Sequence, residues 1–151
     1  MSVTAAILSM NPEPMVLSKR DPIVIRLVIP EPTPLGNVWQ RMHWAARRRL
    51  AARISWLVFM SSGCNHMRTP LQRVRIEIDR YCSGAKPDRD GLYGGVKPLL
   101  DCLLVRSKRH PHGLGYIVDD NDDVIVDLIV RAHKSRRSEH KTVIVITEAV
   151  D

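Results

Sequence analysis

A chain of 151 residues with 44% apolar side chains can bury one sizeable core and is too hydrophobic to be a disordered tail. Its 23 Lys and Arg against 16 Asp and Glu give a formal net charge of +7, which points to a polyanionic partner, nucleic acid or an anionic surface. No apolar run approaches the roughly 20 residues that span a bilayer, so a membrane is the poorer choice. The three cysteines, Cys64, Cys82 and Cys102, are odd in number and form no Cys-x-x-Cys, which argues against a disulfide framework or a zinc ribbon and for a reduced, cytoplasmic setting.

Residues 1–20 have no basic segment ahead of a long apolar stretch, so they read as a loose arm and not as a signal peptide, with Pro12 and Pro14 opposing regular structure. Residues 21–151 read as one domain. From Asp21 to Pro30, DPIVIRLVIP predicts a β-branched first strand closed by proline, and EPTPLGN a loop. A helix is expected from Val38, with Asn37 as its N-cap and Gln40 three residues on, as in a capping box. Val38, Met42, Ala46, Leu50, Ile54 and Leu57 recur at steps of three and four and define its apolar face. Arg41, Arg47, Arg48, Arg49 and Arg53 occupy the other faces. Trp39, Trp44 and Trp56 are expected to pack rather than to stack on bases. The sequence SSGCN ends the helix.

The second strand is expected over Leu71 to Tyr81, where Val74, Ile76 and Ile78 alternate with Arg73, Arg75, Glu77 and Asp79. CSGAKPDRDGLYGG reads as a loop. A short helix follows from Val96 to Arg106, with Pro98 tolerated in its first turn. SKRHPHGLG is a basic loop, and a short strand leads into an aspartate run. VIVDLIVRAH and TVIVIT predict two further strands joined by the basic turn KSRRSEHK. The order β-α-β-α-β-β-β predicts an α/β or α+β domain with a mixed sheet and two main helices.

Two acidic clusters interrupt this basic chain: Asp88-x-Asp90, and Asp119, Asp120, Asp122 and Asp123, with Asp101 between them. Close carboxylates raise one another's pKa unless a cation offsets the charge, and Mg²⁺ favours a few carboxylates with retained waters. Next to bound DNA, such an ion can activate water and stabilise charge on phosphate oxygens. The alternative is a pair of solvated turns, since aspartate bonds to its own backbone there. A calcium loop starting at Asp119 would put Val124 where glycine belongs and Val130 where glutamate belongs. GLYGGVK is no P-loop, because Val96 separates Gly95 from Lys97. His110 and His112, with Cys102 upstream, match no standard zinc spacing, and read as phosphate contacts or as nothing.

The segment KPDRDGLYGGVKPLLDCL, followed by GYIVDDNDDVIVDLIV, resembles the RusA family of Holliday-junction resolvases, common in phages and prophages. That family shows Asp-x-Asp, a lysine on a helix, an aspartate one turn on, and an Asp-Asp pair opening a valine-rich strand. PTPLGNVWQRMHW also resembles its N-terminal part, where a proline-rich turn and an asparagine, here Asn37, precede the first helix. The resemblance spans Ile23 to Glu148. It places the metal-binding aspartates on Asp88, Asp90 and one of Asp119 and Asp120, with Asp120 preferred, the essential lysine on Lys97, and the helix aspartate on Asp101. It implies a small α/β homodimer that cuts four-way DNA junctions by paired nicks with Mg²⁺, Mn²⁺ being a substitute.

The sequence departs from the family in three ways. Asp90 and Lys97 are seven apart instead of four, as if Tyr93-Gly94-Gly95 were inserted, and Gly91 replaces the usual asparagine. The run DDNDDV is one residue longer than the family's common pattern, which leaves Asp119, Asp120 and Asp123 all as candidate ligands. The resulting expectation is a Mg²⁺-dependent, structure-selective endodeoxyribonuclease in which Lys97 stabilises the phosphate or leaving oxygen. Asn37, Arg41, Arg47, Arg48, Arg49, Arg53, Lys108 and Arg109 would meet DNA. Its rival is a non-catalytic basic DNA-binding protein whose aspartates are solvated or hold a structural ion.

Overall fold

The computed structural model describes residues 20–64 and 69–150. The N-terminal arm expected over residues 1–20 lies, except for Arg20, outside the described residues.

Alternating β-branched residues form four strands: β1 (Val24–Ile29), β2 (Val74–Cys82), β3 (Ile125–Lys134) and β4 (Lys141–Glu148). They make one mixed sheet in the order β1-β4-β2-β3. β4 is antiparallel to both neighbours, whereas β2 and β3 are parallel. Register sets Leu27 beside Ile144, Ile144 beside Ile78, and Ile78 beside Val130, one apolar row across all four strands. The chain has four helices: α1 (Gly36–Arg41), α2 (Trp44–Ser61), α3 (Arg89–Gly94) and α4 (Lys97–Leu103). Ile54 and Val58 of α2, Leu92 of α3, and Leu99 and Leu103 of α4 join the sheet row in one buried cluster. The result is a small α+β domain with helices packed on one sheet face. Among the described residues, no helix is long and apolar enough to cross a membrane.

The single helix expected from Val38 is two helices. α1 already includes Asn37, Leu35 is its N-cap, and the expected capping box is absent. The chain turns extended at Met42 and His43, and His43 Nδ1 accepts from Ala45 N at 3.2 Å to start α2. Arg47 folds back, its Nε donating to Trp39 O at 2.9 Å and its terminal nitrogen to Gln40 O, so it satisfies two carbonyls at the end of α1. The apolar face consequently shifts. Val38 is exposed, and α2 buries Ile54, Ser55 and Val58. Trp44 and Trp56 do not pack as expected, with 64% and 59% of their surfaces exposed.

The loop expected over CSGAKPDRDGLYGG contains α3, and the helix expected from Val96 to Arg106 is the shorter α4, with Pro98 in its first turn. β2 starts at Val74, while Leu71 and Leu104 each form an isolated bridge with Ile117, which is all that remains of the expected strand before the aspartates. The loop ahead of α1 is anchored from below: Arg80 Nε donates to Thr33 O at 2.8 Å, and Thr142 Oγ1 donates to Glu31 O at 2.9 Å.

Candidate metal and nucleic-acid site

Asp88 is the N-cap of α3, and its Oδ1 accepts from Gly91 N at 3.1 Å. A Cβ on residue 91 would stand 2.6 Å from that oxygen, so any other residue there would make the Asp88 carboxylate shift. Asp90 lies in the first turn of α3 and is exposed. The apparent insertion Tyr93-Gly94-Gly95 forms the end of α3 and the step into α4. The backbone at Gly95 runs so close to Pro34 that a Cβ would fall 1.7 Å from its carbonyl oxygen. Tyr93 reaches the outer edge of β3, its hydroxyl accepting from Val130 N at 3.2 Å and lying 3.4 Å from Leu128 O.

Lys97 opens α4 and its Nζ donates to Asp101 Oδ1 at 3.3 Å, one turn on. That carboxylate also faces His110 Nδ1 at 4.0 Å. Asp101 thus has both Lys97 and His110 as polar neighbours. The pKa of Asp119 is lowered, chiefly by the Asp120 backbone N–H, with the Asp120 and Asn121 side chains adding to it. Sequence reading assigned His110 no place in the site. Its position depends on the 105–114 loop folding back against α2 and α4, which residue spacing does not reveal.

The aspartate run closes on itself. Asp119 Oδ1 accepts from Asp120 N at 2.8 Å, and its Oδ2 from Asn121 Nδ2 at 3.2 Å. Asn121 Oδ1 accepts from Asp123 N and Val124 N at 3.0 and 3.1 Å. Both oxygens of Asp119 are therefore engaged, by the Asp120 and Asn121 N–H groups, and the Asp120 side chain also interacts with Asp119. Asp122 and Asp123 are exposed.

These exposed, oxygen-only donors suit a hard cation such as Mg²⁺ in chemistry. Their side chains do not converge. Among the described residues, no three His, Cys, Asp or Glu groups stand together as a ligand set. Asp88 and Asp90 leave the C-terminal end of β2, while Asp119 to Asp123 enter the N-terminal end of its parallel neighbour β3.

The expected DNA-binding residues divide by their partners. Arg47 is engaged with α1, also lying 5.5 Å from the Trp39 ring centroid, and Arg53 pairs with Glu31 at 2.8 Å. Asn37 Oδ1 accepts from Val38 N at 2.9 Å. Arg41, Arg48, Arg49, Lys108 and Arg109 are exposed. The chain matches no family model, and no curated protein matches it.

Proposed function

We propose that this chain is a Mg²⁺-dependent, structure-selective endodeoxyribonuclease that resolves four-way DNA junctions by paired phosphodiester hydrolysis. The observation that carries this reading is the ordered set Asp88-x-Asp90, Lys97, Asp101 and Asp119-Asp120 on a basic α+β scaffold, with Lys97 paired to Asp101.

Asp88, Asp90 and Asp120 would hold the ion only once brought together, since they stand apart in this structure; Asp119 is less suited because both of its oxygens accept hydrogen bonds within the turn. When bound, Mg²⁺ supplies positive charge for the phosphate oxygens and acidifies attacking water. Lys97, steadied by Asp101, offers an exposed ammonium to a phosphate oxygen. Arg48, Arg49, Lys108 and Arg109 neutralise backbone phosphates and set the orientation of the duplex arms.

The test is a labelled four-way junction incubated with and without Mg²⁺. The wild type should nick it in a metal-dependent way, and Asp90→Asn should bind it with unchanged affinity without cutting. Full-rate cleavage by Asp90→Asn at saturating Mg²⁺ would overturn the assignment.

A second reading, a non-catalytic basic DNA-binding protein, is favoured by the self-closed aspartate turn and the absence of a converged ligand set among the described residues. Tight junction binding by the wild type, with no nick in Mg²⁺ or Mn²⁺, would establish it.

A further inference from the structure

Trp56 has no part in the site above. On α2 it leaves 59% of its surface exposed, although a large aromatic side chain gains most from burial. Its ring centroid lies 6.1 Å from that of Phe59, at an interplanar angle of 41°. The two rings border an open, shallow recess of about 240 Å³ that is lined on the far side by Arg106, His112 and Leu114. That is smaller than the ~300–1,000 Å³ typical of clefts for drug-sized ligands, and suits one planar ring system.

The recess is built and held. Ser55 Oγ, buried on α2, donates to His112 O at 2.7 Å and fastens the 105–114 loop to the helix. Leu114 N donates to Cys102 O at 2.8 Å, which ties the far end of the loop to α4. Arg106 Nε donates to Pro111 O at 2.9 Å, and this fixes the guanidinium while its two terminal nitrogens have no partner among the described residues. Exposed Lys108 and Arg109 follow on the same loop, and Arg49 lies two turns before Trp56 on α2.

An aromatic platform beside a fixed guanidinium, in basic surroundings, suits a flat π-system that carries negative charge. A nucleotide has both parts. In an intact duplex the bases are stacked on one another and cannot enter, so the occupant has to be unpaired. We infer that Trp56 is a stacking platform for one unpaired nucleobase of a DNA strand, whose adjoining phosphate is met by Arg106. This inference rests on the reading of the chain as a DNA-binding protein, and on nothing about its aspartates or about cleavage.

The experiment titrates the full chain into a single-stranded oligonucleotide carrying 2-aminopurine and, in parallel, into a labelled perfect duplex. The wild type should quench 2-aminopurine fluorescence. Trp56→Ala should abolish the quench and weaken single-strand binding roughly five- to hundredfold, the range set by loss of one base–aromatic stack. Its duplex affinity should stay at the wild-type value, which also reports that the variant is folded. Trp56→Phe should keep part of the quench, and Trp44→Ala, which removes an equally exposed tryptophan of the same helix, should keep all of it. Quenching and binding by Trp56→Ala at wild-type strength would overturn the inference. Duplex binding by the wild type without any quench of the single strand would overturn it and leave the DNA-binding reading standing, and failure to bind either nucleic acid would remove both.

Discussion

Tyr93 satisfies the backbone of an edge strand with a single hydroxyl. Without it, Val130 N loses its partner at the outer edge of β3. Tyr93→Phe keeps the ring beside Arg89, whose guanidinium lies 5.4 Å from its centroid, and removes only the hydroxyl. It should cost about 1 kcal/mol, seen as a lower urea midpoint at unchanged slope. Cysteine reactivity should also divide by residue. Burial pushes the Cys102 thiol well up, with the Asp101 charge adding to it, so its nucleophilic thiolate is suppressed at neutral and mildly alkaline pH. Cys64 is exposed. A disulfide reagent at pH 8 should label Cys64 promptly and Cys102 only after denaturation, as read by mass spectrometry of digested peptides. Prompt labelling of Cys102 in the native protein would contradict the packing of α4.

The arginines of α2 fall into two kinds, and salt dependence separates them. Arg48 and Arg49 are exposed. Replacing both with alanine should flatten the log–log salt slope of DNA binding by roughly two units, about one per lost phosphate contact, and leave stability almost unchanged. Arg47→Ala should do the reverse, costing about 1 kcal/mol by removing its hydrogen bonds to the carbonyls of Trp39 and Gln40, of which the first keeps the Met42 N–H, while the slope stays put. This division was not legible in the sequence. Five arginines at helical spacing look alike until the helix breaks at Met42 and His43, and no proline or glycine marks that break. Tertiary contacts set it, through the folded-back Arg47 and the His43 cap. The strands were easier to read. Val74, Ile76 and Ile78 alternate with charged residues, and each lands buried on the core face. α3 was hidden because DRDGLYGG is glycine-rich, although Asp88 carried an N-cap signal beside its metal-ligand one. Asp88, Asp90, Lys97 and the aspartate run could be named as candidates from spacing alone. The engagement of both Asp119 oxygens and the approach of His110 depend on loop geometry.

Viewed as a molecule, the sheet has two protected edges and one open face. Ser61 Oγ accepts from Val28 N at 2.8 Å on β1, and Tyr93 occupies the edge of β3, so growth of the sheet by strand addition is hindered on both sides. The face turned from the helices carries Val28, Ile129, Val143 and Val145 beside a polar network. Arg131 pairs with Glu77 at 3.0 Å, and His133 with Asp79 at 2.7 Å, while Tyr81 stacks on His133 with 4.6 Å between centroids. Val143 is only 8% exposed yet stands outside the apolar cluster under the helices. If two subunits cooperate in paired cleavage, this face is where they should meet, about a two-fold axis. Sedimentation equilibrium without DNA should then give twice the 17.2 kDa of one chain. Val145→Glu should return the mass to that of one chain while leaving the far-UV dichroism intact. A wild-type mass near one chain at micromolar concentration, with single unpaired nicks in a junction, would remove the dimer.

The place of β4 in the sheet also governs the order in which the fold can be made. β1 and β2 are the first two strands to leave the ribosome, yet they do not touch; each is bonded along its length to β4, which is synthesised after both. Until residue 148 has emerged, β1 has no strand to pair with, although β2 and β3 can already join. The nascent chain therefore has to hold an apolar first strand waiting across more than a hundred residues of synthesis, and its final closure is a long-range event of the slow kind.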